Sequence, residues 1–226
     1  MPNIPERIAN SLATMGWYGG ESIFAAELSC RLMLRARLLA DTHELRSGRI
    51  GHNVGVQVNA QLRSDDTRWL AHAPDDDSER DAVASVNALR MHLNQALFLG
   101  AQETELHFAR YTPGAFYRTH RDRFRDDDAR LVSLVFYLND DWVDNAGGEL
   151  VLYAGDDSGA VITRVQPRAG TMVCFLSDRF PHEVLPATRE RYSLTGWLRR
   201  AYGALRAPCH TIGAQSAPYA VHRIEQ

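Results

Sequence analysis

Leu131-Val132-Ser133-Leu134-Val135-Phe136-Tyr137-Leu138 carries no charge and is built from aliphatic, β-branched and aromatic residues, the composition of a strand. It is one of six such short runs after Gly100, the others being 105–111, 149–153, 161–165, 171–176 and 192–199. Turn residues separate several of them: Thr112-Pro113-Gly114, then 145–148, 156–159 and 167–170. Many short strands at this spacing predict a β-sandwich or jelly roll. Before Gly100 the pattern is helical with one interruption. Ile8, Leu12 and Met15 recur at helical spacing over 5–15 until Gly16 stops the run. Leu28, Leu32, Leu38 and Leu39 mark a longer amphipathic stretch over 25–45. Val83, Val86, Leu93 and Leu97 line one face of a third helix, with Ser78 and Asp81 as its start. The interruption, 47–61, is Gly-rich with Val54, Val56 and Val58 alternating, a loop leading into a short strand or hairpin. Helices first and strands afterwards predict a mainly β fold with supporting α-helices packed on one sheet, not a βαβ sheet. The expectation is one domain over 1–226: helical support and a loop in 1–100, the β core in 104–200, and a weakly patterned tail in 203–226.

The 226 residues include no lysine. All 25 basic residues are arginine, set against 28 Asp plus Glu, for a net charge of −3. That excludes Schiff-base chemistry, pyridoxal phosphate and the Walker A loop, each of which needs a lysine amine. Near-neutral charge argues against a phosphate backbone as the main ligand. Arg118, Arg121, Arg123 and Arg125 are followed by Asp126, Asp127 and Asp128, so their charges cancel at long range and read as a solvated loop. Cys30, Cys174 and Cys209 lack C-x-x-C spacing, which excludes a disulfide framework and a zinc finger. No apolar run is long enough to span a membrane and no leader pattern is present, so a reduced, cytoplasmic monomer without nucleic-acid or membrane partners is expected.

His120-Arg121-Asp122 is an H-x-D triplet, a weak signal alone. His182 follows about sixty residues later within Phe180-Pro181-His182-Glu183-Val184, just after the apolar run 171–176. Two imidazoles and a carboxylate suit Fe(II) and leave open positions when held on one face of the metal. Arg191 comes nine residues after His182, and Thr195 and Trp197 share its strand face. An arginine there can grip a carboxylate with a planar two-pronged bond. Taken singly, Tyr117, Tyr137 and Trp197 are equally strand-packing aromatics, Arg191 a partner for a surface acid, and His107 a structural residue.

Together, residues 111–197 resemble the 2-oxoglutarate- and Fe(II)-dependent prolyl 4-hydroxylases, in the branch of the hypoxia-inducible-factor prolyl hydroxylases and their bacterial relatives. The resemblance rests on Tyr111 with Thr112-Pro113-Gly114, Tyr117 to Asp122, Phe136-Tyr137-Leu138-Asn139 with Trp142, and Gly147-Gly148-Glu149-Leu150. It continues through 177–184 and Arg191-Tyr192 with Thr195 and Trp197. Upstream, Arg63-Ser64-Asp65 before Trp69 is similar to the family's R-G-D-x-x-x-W stretch. The resemblance implies a cupin-like double-stranded β-helix core. It implies that His120, Asp122 and His182 bind iron, and that Arg191 anchors 2-oxoglutarate with Tyr137 and Thr195. Tyr111 and Trp197 then line the cofactor region, Tyr117 the space between iron and substrate, and Arg130 with Asp65 the substrate mouth. The loop 47–61 is implied to close over the substrate.

The implied reaction hydroxylates a peptidyl proline at the 4-position, consuming O2 and releasing succinate and CO2, with ascorbate as a reductant. Elongation factor Tu is a candidate protein partner implied by the bacterial branch. Hydroxylation of a free amino acid, a metal cupin working without 2-oxoglutarate, a nucleic-acid demethylase of the same superfamily and a non-enzymatic binding module are the alternatives.

Overall fold

The computed structural model describes residues 2–49, 58–122, 129–156 and 158–201. Three helices precede the main strands: α1 (Ile4–Thr14), α2 (Ala26–Asp41) and α3 (Asp77–Leu97). Asn3 and Glu6 cap α1 reciprocally, and Gly16, at φ 82°, turns the chain away from it. For α3 the expected start at Ser78 is corrected by two residues. The carboxylate of Asp76 accepts from the backbone N–H groups of Ser78 (2.9 Å) and Glu79 (3.1 Å), while Ser78 lies inside the first turn.

The strands form two antiparallel sheets. The larger follows the order β1 (Trp17–Glu21), β9 (Thr171–Leu176), β6 (Arg130–Tyr137), β11 (Arg191–Arg199), β4 (Glu103–Tyr111), β3 (Asp66–Trp69) and β2 (Arg46–Ser47). The smaller runs β5 (Tyr117–His120), β10 (His182–Val184), β7 (Leu150–Tyr153) and β8 (Val161–Val165). Two facing sheets whose order crosses back and forth along the chain make the expected jelly roll. The helical reading of 1–100 is incomplete, because β1 lies in that segment and pairs with β9, and β3 pairs with β4. The loop 47–61 lies largely outside the described residues, as do Cys209, the tail 203–226 and Arg123 to Asp128; β2 before it pairs with β3, which begins at Asp66.

Strand alternation divides the larger sheet's side chains between two environments. Leu106, Phe108, Val132, Leu134, Phe136, Met172, Cys174, Leu194 and Leu198 pack with Ile8, Leu12, Leu32, Leu39, Val86 and Leu93 of the helices. The alternate residues Val135, Tyr137, Val173 and Phe175 pack with Leu150 and Leu152 of the smaller sheet. One sheet therefore carries a helix-packed apolar face and a second face closing the roll. Among the described residues, no helix is long and apolar enough to cross a membrane.

Candidate active site

β5 and β10 are short strands that carry His120 and His182 at one end each. Their register sets His182 directly opposite His120, and Asp122 follows two residues past His120. One ligand atom from each of the three lies within 4.8 Å of the others. The Nδ1–H of His120 donates to the Arg118 carbonyl at 2.7 Å, and the Nδ1–H of His182 donates to the Phe180 carbonyl at 3.2 Å. A carbonyl only accepts, so both Nε2 lone pairs are left free. These Nε2 atoms face the two Asp122 carboxylate oxygens at 3.5 and 3.6 Å. Burial would push the Asp122 carboxyl up, but the two imidazoles and Arg130 hold it far below the usual carboxylate range. Burial, with His120 beside it, lowers His182 to about 4 against the pull of Asp122. A neutral His182 and an ionised Asp122 are in the protonation states that a divalent metal requires of its ligands. This donor set fits Fe(II).

Ser133, given no role in the sequence reading, holds Asp122 in place with Ser177 behind it. Ser133 on β6 donates to Asp122 Oδ2 at 2.6 Å, and its hydroxyl meets that of Ser177 at 2.9 Å. Both serines are buried.

The triad opens into a cavity of about 600 Å³ between the sheets, lined also by Tyr111, Tyr117, Arg130, Arg191, Thr195 and Trp197. Arg191 is only 1% exposed. Its Nε donates to the Gly148 carbonyl at 3.0 Å, one Nη to the Ser193 hydroxyl at 3.4 Å, and Ser193 meets Thr195 at 3.3 Å. No carboxylate of the described residues neutralises it, and its guanidinium lies 4.7 Å from the Tyr111 ring centre and 5.2 Å from that of Tyr137. Gly148, at φ 71°, permits this approach, since a Cβ there would meet Ala187, Trp142 and the Arg191 stem. The Tyr137 hydroxyl is buried beside Arg191 without a hydrogen bond of good geometry, its pKa pushed up to about 12 by burial against the pull of Arg191. A buried cation beside such a hydroxyl suits a carboxylate ligand.

The matches with known proteins follow this geometry. The model of the 2OG-Fe(II) oxygenase superfamily matches residues 106–199, almost the whole span from β4 to β11. A Pseudomonas putida prolyl-4-hydroxylase of known structure is 40% identical, superposes with a TM-score of 0.78, and the match covers 88% of this chain and 100% of that one. The chain belongs to the 2OG-Fe(II) oxygenase superfamily. It is 28% identical over 144 residues to the hypoxia-inducible factor prolyl hydroxylase of Caenorhabditis elegans. That match covers 60% of this chain but 20% of the nematode protein, so the chain spans a small part of that relative's length. A Trichoplax adhaerens prolyl hydroxylase, solved with a peptide fragment of the hypoxia-inducible factor oxygen degradation domain, shares the fold at a TM-score of 0.77 and 24% identity. That match covers 87% of this chain and 89% of the other.

Within this member of the superfamily the remaining sequence-derived residues divide. Tyr117 stacks on His120 with ring centres 3.6 Å apart, and burial pushes its hydroxyl up to about 12. Arg130 lies over the Trp197 ring at 3.5 Å and donates to the Asp122 carbonyl at 3.3 Å. Asp65 does not reach the mouth. It is 1% exposed and accepts two hydrogen bonds from Arg63, at 2.7 and 2.5 Å, and Arg63 rather than Asp65 lines the cavity. A carboxylate buried that deeply needs a paired cation, and the two-pronged arginine fit supplies one. Arg121, expected in a solvated loop, donates to the carbonyls of Gly155, Asp178 and Arg179 and so ties the end of β5 to the approach to His182. His107, assigned to structure, lines the cavity between Trp69 and Trp197 with its Nδ1 unpartnered, and burial drops its pKa to about 3.

Proposed function

We propose that this chain is an Fe(II)- and 2-oxoglutarate-dependent oxygenase that hydroxylates a prolyl residue, at the 4-position, in a protein substrate. The observation that carries the reading is one cavity joining the His120–Asp122–His182 cluster to a buried, uncompensated Arg191. In its favour stand the relatives named for prolyl hydroxylation, one of them solved with a peptide. Iron, 2-oxoglutarate and O2 together supply the oxidising chemistry: one oxygen atom goes to the target carbon and the other to succinate, with release of CO2. The protein's part is placement. His120, Asp122 and His182 would hold the metal beside the cavity that they line. Arg191 and the Tyr137 hydroxyl hold the distal carboxylate of 2-oxoglutarate, with Ser193 and Thr195 fixing the guanidinium. Val135, Leu150 and Val184 give the cavity a dry wall that keeps water from the reacting carbon. Tyr117 and Trp197 border the place where a proline ring is presented.

Elongation factor Tu is the specific substrate proposed, in a cytoplasmic setting where ferrous iron and thiols stay reduced, with ascorbate as the reductant that restores Fe(II). Incubating the protein with Fe(II), 2-oxoglutarate, ascorbate and purified elongation factor Tu, then mapping tryptic peptides, tests this. The expected result is the mass of one added oxygen on a proline. Added mass on prolines of other proteins alone removes elongation factor Tu, and none on any protein removes the peptidyl reading.

A further inference from the structure

Arginines outnumber acids six to two in the lining of the active-site cavity, although the chain as a whole carries a net charge of −3. Half of these arginines are matched by a carboxylate among the described residues. Arg63 pairs with Asp65, Arg68 with Glu79 and Glu44, and Arg130 with Glu105, while Arg191 closes the inner end. Arg46 and Arg49 are different. Arg46 donates to the backbone carbonyls of His43 and Leu45, and neither guanidinium meets a carboxylate among the described residues. Both side chains are exposed at the cavity's outer edge.

Their backbone is fixed to the site. The Gly48 N–H donates to the Asp65 carbonyl at 2.7 Å, and an Arg63 Nη donates to the Arg49 carbonyl at 3.1 Å. A Cβ on Gly48 would meet Arg63 Nε at 2.5 Å, so glycine lets this segment close onto Arg63. Arg63 in turn lies over the Tyr117 ring at 4.4 Å, and Tyr117 stacks on His120. Two charges are thus tied to the segment beside the metal-binding cluster without a carboxylate partner among the described residues.

We infer that this rim reads an acidic substrate segment: a protein chain carrying Asp or Glu within a few residues of the target proline. The inference rests on the peptidyl-proline reading above and adds the chemistry of the flanking sequence. A carboxylate arriving at the rim finds two arginines that need not break an existing ion pair to receive it. Each such exposed pair contributes about 1.4- to 5-fold, and the gain is screened by salt. The field of the arginines also speeds encounter with acidic chains.

The test is a degenerate peptide library around a fixed proline, treated with the wild-type enzyme, Fe(II), 2-oxoglutarate and O2, with hydroxylated products sequenced by mass spectrometry. The expected result is enrichment of Asp and Glu near the hydroxylated proline by about threefold to tenfold, depletion of Arg and Lys, and a weaker bias at high salt. The double variant Arg46→Glu/Arg49→Glu should turn the preference toward basic flanks, an inversion that misfolding cannot produce. Hydroxylated products with no charge bias, or a bias unchanged in the double variant, overturn the inference and leave the peptidyl-proline reading standing. A library with no hydroxylated peptide at all overturns that reading as well.

Discussion

Along β11, Leu194 and Leu198 pack into the helix-lined core, whereas Arg191, Ser193, Thr195 and Trp197 alternate with them on the opposite face. The backbone between them is the same, paired without interruption to β4. The difference teaches where this protein places its stability and where it places its chemistry. The helix face needs volume and apolarity, and any well-packed aliphatic residue would serve. The cavity face adds to its apolar residues a buried arginine and two serines, each meaningful only through a partner: Gly148 for Arg191, Asp122 for Ser133. Substitutions on the two faces should therefore fail in different ways.

The largest expected effect is on the cavity face. Asp122→Ala removes the carboxylate between two imidazoles, and 2-oxoglutarate turnover should fall to background while the far-ultraviolet dichroism keeps its folded form. On the helix face, Leu194→Ala should cost about 2–5 kcal/mol in urea unfolding, with an unchanged KM for 2-oxoglutarate in the folded fraction. A raised KM in that variant would mean the two faces are coupled. Arg191→Lys should raise the 2-oxoglutarate requirement by about 10- to 100-fold, because a point charge cannot reproduce the planar two-pronged fit. Ser133→Ala should weaken iron binding by about tenfold, read by titration with Fe(II) under anaerobic conditions.

The stability of the metal-free protein should also depend on pH. Unfolded histidines protonate near pH 6.5, while buried His107 and His182 stay neutral down to about pH 3 and pH 4. A depressed folded-state pKa means that the unfolded chain binds more protons in this window. The metal-free protein should thus lose stability as pH falls from 6.5 toward 4, by about 1.4 kcal/mol per pH unit per proton. His107→Gln should remove one proton's share of that slope, which chemical denaturation at a series of pH values would measure.

Much of this was legible in the sequence where the signal is local. The alternation around β11 places Arg191, Thr195 and Trp197 on one face, and the apolar runs locate β6 and β9 within a residue or two. What escaped reading depends on partners distant in the chain. β1 reads Trp-Tyr-Gly-Gly-Glu, too poor in β-formers to stand out, and it is a strand because β9 lies beside it. β5 and β10 have four and three residues, shorter than a two-residue period can declare. Ser133 looks like a polar interruption of an apolar run until the fold brings Asp122 to it. Asp65 was expected at the mouth, yet its two-pronged pairing with Arg63 buries it.

The decisive measurement is Fe(II)-dependent conversion of 2-oxoglutarate to succinate by the wild-type protein, with Asp122→Ala and Arg191→Lys assayed beside it. Succinate should form with added Fe(II), stop with a chelator, vanish in Asp122→Ala and need more 2-oxoglutarate in Arg191→Lys. Tight Fe(II) binding without succinate, or wild-type behaviour in both variants, would contradict the assignment of this cavity.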